Sequence, residues 1–224
     1  MTLKLYYASG AGSFVPHTML ELAGATFEPV LVKLHKNEQD SPEYRAINPR
    51  GQVPALVDDG QVITQILAQV AYIDGLFPEN AFIPREPLAR ARFVEALAWM
   101  NNTVHPAFTH IFLPHKFTDD AVAQQAIQAH ARAQYPALLA ELQDRVRAAH
   151  AAGDDWLGGV HCGPLDTYAL TLLRWGGIAG INPEATPLLW AHVQRTAQVP
   201  AVARAIARER LQLNLYRPAA ESAP

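Results

Sequence analysis

Cysteine is almost missing: Cys162 is the single one in a chain of 224 residues. An internal disulfide is therefore excluded, as are cysteine-rich metal sites, and a reducing, cytoplasmic setting is expected. Charge is sparse too. Charged residues make up 17% of the chain and the formal net charge is −3, so no global basic field draws the protein to nucleic acid or to an anionic membrane. No apolar run reaches the roughly 18 residues of a membrane-spanning helix. The first residues, MTLKLYYAS, carry one lysine and then turn polar, without the long apolar core of a secretory signal. Internal repeats are absent, and alanine richness is the one compositional bias. Half of the residues are hydrophobic, enough to build one large core or two smaller ones that share an interface.

The chain reads as two parts. Residues 2–8 mix apolar, aromatic and β-branched types over the length of a strand. The loop SGAGS follows at 9–13, then a helix from Pro16 to Leu22 stopped by Gly24. A second extended run covers 27–32. Ser41-Pro42-Glu43 has the hydroxyl cap, first-turn proline and early acid of a helix start. Two short runs at 53–57 and 61–63 flank Asp58-Asp59-Gly60, a hairpin signal, and helical spacing takes over from 64 to 76. The order β-α-β-α-β-β-α predicts a compact mixed sheet with helices on both faces.

After Pro78 the composition changes. A proline-rich connector, PENAFIPREP, leads into helical patterns and strand signals stop. Phe93, Leu97, Met100 and Val104 form one apolar face of a long helix. Residues 119–150 form another, and shorter helices fit 164–178, 186–197 and 199–210. The final PAAESAP reads as a frayed tail.

Three stretches together, LKLYYASGAGSFVPHTMLELAG, INPRGQVPALVDDGQVIT and GPLDTYAL, resemble the glutathione transferase family, and most closely its bacterial beta class. The resemblance spans about residues 3–210 and is strongest in the first part. It implies a thioredoxin-like α/β domain over 1–78 that binds glutathione, a linker at 79–87 and an all-α domain over 88–224. It further implies conjugation of glutathione, as co-substrate, to a small apolar electrophile, and a homodimer. The alternative is a non-catalytic binding or scaffold protein on the same fold. A glutathione-dependent reductase is disfavoured, because no redox cysteine stands in the loop.

The site residues follow from matching this pattern. Gln52, Val53 and Pro54 correspond to the family segment whose cis proline turns a valine's backbone outward, where an extended tripeptide can pair with it like an added strand. Gly12 stands where beta-class relatives have a cysteine, and Ser13 after it resembles the hydroxyl of serine-type relatives, with an ordinary helix cap as the competing reading. Tyr7 matches a family tyrosine near the thiol, although a packed role suits it as well. A thiol is only a few per cent ionised at neutral pH. Ser13, Tyr7 or the backbone donors of the loop at a helix N-terminus are the groups that can favour the thiolate. Gln65 and Ile66 stand where relatives read Glu-Ser or Gln-Ser and hold the γ-glutamyl end. Ile66 keeps only its backbone N–H, which predicts weak glutathione binding. Asn102 and His105, with Trp99 and Phe108, are expected along the acceptor cleft.

Other candidates carry less. His105, His110 and His115 recur every five residues, which turns each about 140° from the last, so no shared metal is expected. Cys162 reads as a small packed residue. Asp166 reads as the structural partner of a helix start at Gly163-Pro164.

Overall fold

The computed structural model describes residues 3–218; most of the frayed tail expected from the sequence lies outside them. The first part contains β1 (Leu3–Tyr7), α1 (Phe14–Leu22), β2 (Phe27–Leu31), α2 (Pro42–Ile47), β3 (Ala55–Asp58), β4 (Gln61–Thr64) and α3 (Ile66–Leu76). The strands form one mixed sheet in the order β2-β1-β3-β4. β1 runs parallel to β2, with Leu5 opposite Pro29, and antiparallel to β3, with Leu5 opposite Leu56. Pro29 is tolerated because β2 is an edge strand. The β3–β4 hairpin pairs Asp58 with Gln61. Its two-residue turn, Asp59-Gly60, has φ of 44° and 85°, the positive pair that a tight hairpin needs.

Alternation along β1 sends Tyr6 and Tyr7 to opposite faces. Tyr6 meets Tyr44 of α2 edge-on at 5.8 Å, whereas Tyr7 lies against His17 of α1 at 5.1 Å. Helices therefore cover both faces, as the element order predicts. Leu3, Leu5, Phe14, Met19, Leu56, Val70 and Ile73 are buried between the sheet and α1 and α3.

The second part is helical: α4 (Pro87–Trp99), α5 (His105–Phe112), α6 (Ala121–Ala151), α7 (Pro164–Ile178), α8 (Pro187–Gln198) and α9 (Pro200–Glu209). The expected continuous helix through Val104 is instead interrupted by one π-turn, Met100–Val104. Pro106 supplies the reason. It has no N–H to offer the carbonyl of Asn102 and its ring crowds that carbonyl, so the helix widens by one residue before it. α7 is the hub, with nearly all its residues buried. Asp166 anchors its start, accepting from the Gly163 N–H at 2.8 Å and the Leu157 N–H at 2.8 Å, and it lies 2.9 Å from His192 Nε2. That is the structural role read from the sequence. α1 packs on both α7 and α9, which brings the loop before α1 against the helical part.

Candidate functional site

The loop Ser9–Ser13 joins β1 to α1, and its first half is fixed from far away. Gly10 has φ of +68°, open to glycine at little cost. Its N–H donates to Glu209 Oε2 at 2.8 Å, and its C=O accepts from the Trp175 indole N–H at 2.8 Å. The other oxygen of Glu209 lies 2.6 Å from His17 Nδ1, with both side chains fully buried. Ser9 Oγ donates to the Glu209 carbonyl at 2.5 Å. One residue at the end of α9 thus holds two successive loop residues and the first turns of α1.

The second half of the loop, Gly12 and Ser13, is buried too, but its N–H groups are left open. Ala11 donates to the Ala8 carbonyl, and the helix bonds begin with Phe14 N–H to Ala11 and Val15 N–H to Gly12. Among the described residues, nothing accepts from the N–H groups of Gly12 and Ser13. They are the first free donors of α1, at its positive end. Gly12 lies between two side chains. A methyl group added to it would sit 2.9 Å from Ile66 Cδ1 and 3.0 Å from His105 Cε1. The loop, the start of α3 and the start of α5 therefore converge on one point, joining three positions that the sequence analysis singled out separately. Ile66 is 5% exposed. Its side chain fills the space that a side chain at position 12 would need, so Gly12 and Ile66 are complementary in shape.

His105 closes the third side. Its Nδ1 is 2.7 Å from Tyr168 Oη, and that hydroxyl lies 3.1 Å from Asn101 Oδ1. Asn101 in turn donates to Asn102 at 2.9 Å. The imidazole packs edge-on against Trp175, with centroids 4.7 Å apart, and Trp175 stacks on Phe108 at 4.7 Å. Burial lowers the His105 pKa to about 4, so the ring is neutral at physiological pH. Its Nε2 has no partner among the described residues.

The remaining expected residues divide clearly. Ser13 is fully buried; its hydroxyl donates to the Ala8 carbonyl and accepts from the Ala8 N–H, both at 3.1 Å. It makes no cap bond to α1, so the hydroxyl ties the loop to the strand end. Tyr7 is buried on His17, and burial first, then the charge of Glu209, pushes its phenol pKa up. The Val53–Pro54 bond is cis, as expected. Among the described residues the N–H and C=O of Val53 have no backbone partner, while the Gln52 carbonyl takes the Tyr44 hydroxyl and Asn48 amide at 2.7 Å each. Gln65 holds φ of +72° at the entry to α3, an unusual conformation for a residue with a side chain. Its side chain is exposed and makes no cap bond. Asn102 is exposed on the π-turn. Phe108 does lie beside the cleft residues, but Trp99 carries the Arg145 guanidinium over its ring at 4.4 Å, facing α6.

Trp175, Arg174, Tyr168 and Glu209 were not singled out by sequence reasoning. Their partners at the site lie 63 to 200 residues away. An apolar helix carrying an isolated Arg-Trp pair was the one available signal. Cys162 is 9% exposed, with its thiol pKa pushed up by burial, and lines a separate cavity of about 440 Å³ with Phe82, Trp156 and Val199. His110 lies on Phe117 at 4.2 Å.

Residues 1–75 match the family model of the glutathione S-transferase N-terminal domain. The glutathione S-transferase GstA of Escherichia coli O157:H7 is 30% identical, covering 94% of this chain and 100% of the relative. A sphingomonad glutathione S-transferase solved in complex with glutathione is 32% identical with a TM-score of 0.78, covering 93% of this chain and 100% of that one. The bacterial beta-class enzyme of Sphingomonas chungbukensis is 30% identical with the same TM-score, and again covers 93% and 100%.

Proposed function

The chain belongs to the glutathione S-transferase family, and from that premise we propose that it conjugates glutathione to a small, largely apolar electrophile, holding the thiolate on the backbone N–H groups of Gly12 and Ser13. The observation that carries this reading is the pair of unpartnered donors at the positive end of α1, set against His105 and Ile66. Such donors favour the ionised thiol and lower its pKa. The thiol proton leaves to solvent, the sulfur forms a bond to the electrophilic carbon, and the leaving group departs with the bonding pair.

The rest of the tripeptide fits the same surface. The free N–H and C=O of Val53 can pair with its extended backbone. The Gln65 amide and the N–H groups at the start of α3 suit its γ-glutamyl end. The Ser13 and Tyr7 hydroxyls are secondary in this reading, the first because its proton is engaged at Ala8 and the second because its ring packs on His17. On the acceptor side, the half-buried His105 is backed by the buried rings of Trp175 and Phe108. The family-model match over residues 1–75 and the end of the strands at β4 support a division into residues 1–78, a linker at 79–87 and residues 88–224, and family membership supports a homodimer and a cytoplasmic location.

Calorimetric titration with glutathione, together with conjugation of chlorodinitrobenzene, tests the reading. Saturable binding with turnover above the uncatalysed rate is expected. Binding without turnover would favour the non-catalytic alternative.

A further inference from the structure

The guanidinium of Arg174 lies directly on the glycine face of the loop. A methyl group added to Gly10 would sit 3.0 Å from Cζ and 3.0 Å from Nη2, and closer still to Nη1. Its hydrogen bonds go to neutral acceptors: Nε to the Gln212 carbonyl at 2.7 Å and Nη1 to the Gly10 carbonyl at a long 3.4 Å. Among the described residues no carboxylate lies within ion-pair distance of it, whereas Arg85, Arg204 and Arg208 each have an acid. Glu209 is near enough to be felt, but both its oxygens are engaged by Gly10 and His17. Burial pushes the Arg174 pKa down and outweighs the opposing pull of Glu209.

The location gives this cation a use. Gly10 lies two residues before Gly12, so their α-carbons are at most about 7 Å apart. Trp175, next to Arg174, bonds Gly10 on one side and meets His105 and Phe108 on the other. Arg174 is thus on the α7 flank of the loop. The α3 flank, where Ile66 meets Gly12, is the one that suits the γ-glutamyl end of glutathione.

We propose that Arg174 is an anion-binding residue on the acceptor side of the site, and that the preferred electrophile carries a carboxylate about one aromatic ring away from its reacting carbon. This assignment rests on the conjugation reading above. A planar guanidinium with donors to spare matches a carboxylate in geometry as well as charge.

The test compares para-chloro-nitrobenzoate with its methyl ester as electrophiles for the wild type, Arg174→Gln and Arg174→Lys. The glutamine variant should lose about 10- to 150-fold in kcat/KM for the carboxylate, and less than about twofold for the ester, with the KM for glutathione unchanged. The lysine variant, which restores charge but not the geometry of the two carbonyl bonds, should recover part of the carboxylate preference. Equal losses for both electrophiles would overturn the assignment and make Arg174 a clamp between Gly10 and Gln212. A raised KM for glutathione with an unchanged carboxylate-to-ester ratio would also overturn it, by assigning the arginine to glutathione's own carboxylate.

Two measurements on the wild type do not depend on variant folding. Its carboxylate-to-ester ratio, with each rate divided by that of the uncatalysed reaction with glutathione, should exceed one and fall as salt is raised; a corrected ratio at or below one contradicts the proposal. Quenching of tryptophan fluorescence by the two compounds reads their binding without turnover. A protein that binds the carboxylate more tightly yet conjugates neither compound would retain the anion site and sink the conjugation reading, while equal binding would sink the anion site.

Discussion

The two glycines of the loop before α1 are treated in opposite ways. Gly10 is gripped on both sides of its peptide group by residues of α7 and α9, whereas Gly12 has a free N–H and faces the side chains of Ile66 and His105. A donor can serve a ligand only if the protein leaves it unpaired, and it keeps its direction only if the adjoining backbone is fixed. The clamped half of the loop supplies rigidity and the open half supplies chemistry. The two halves should therefore fail differently.

The largest effect is expected at the clamp. Glu209→Ala leaves the buried Gly10 N–H and His17 without their carboxylate acceptor, while Ser9 keeps its bond to the backbone carbonyl of residue 209, and should destabilise the protein by about 3–5 kcal/mol. Urea unfolding would show it as a lowered midpoint with an unchanged slope. A loss below about 1 kcal/mol would mean that water replaces the carboxylate readily and that the clamp is weak.

The open half should respond less, and through packing. Gly12 is not in the left-handed region, so Gly12→Ala strains no backbone; it only drives a methyl against Ile66 and His105. A cost of about 1–3 kcal/mol is expected. Ile66→Val, made together with it, should recover part of that cost as a coupling of about 0.5–2 kcal/mol in a double-mutant cycle of stability. Strict additivity would show that the two side chains do not compete for one space.

How much of this was legible in the sequence follows from the range of each contact. Elements made by neighbours were readable: the Asp59-Gly60 turn, the Ser41 cap, the Val53–Pro54 segment and the Asp166 helix start are all local patterns. The π-turn had a local signal as well, Pro106, but a proline within a strong apolar periodicity leaves open whether a helix kinks, ends or widens. The Gly10 clamp could not be read, because Glu209, Trp175 and Arg174 reach the loop only after both parts of the chain have packed together. Ser13 shows the same limit on a smaller scale. A serine before a helix suggests a cap, yet the backbone at Ser13 is already helical, with φ of −60° and ψ of −15°. Its hydroxyl turns back to the strand end instead. The resemblance puts Trp99 at the cleft, whereas its ring lies under Arg145 of α6, a contact between segments far apart in sequence.

A smaller effect concerns His105, whose pKa of about 4 in the folded protein lies below the ordinary value of 6.5. Above both values the ring is neutral in either state, and its titration contributes nothing to the pH dependence. As the pH falls below about 6.5, the unfolded chain takes up a proton that the folded chain refuses, so stability declines down to about pH 4. The slope from this group is at most about 1.4 kcal/mol per pH unit. His105→Gln should flatten the decline in urea midpoints between these limits; an unaltered slope would show that the ring titrates near its ordinary value.

The central claim is that backbone donors of the open half, rather than a side-chain hydroxyl, hold the thiolate. Ultraviolet absorbance of bound glutathione as a function of pH measures this directly in the wild type, Ser13→Ala and Tyr7→Phe. The account predicts a bound thiol with a pKa well below its reference of about 8.5. Neither variant should move that value by more than about 0.3 units, because neither removes the Gly12 or Ser13 N–H. A rise of about one unit or more in Ser13→Ala or Tyr7→Phe would give the thiolate to that hydroxyl and contradict the account.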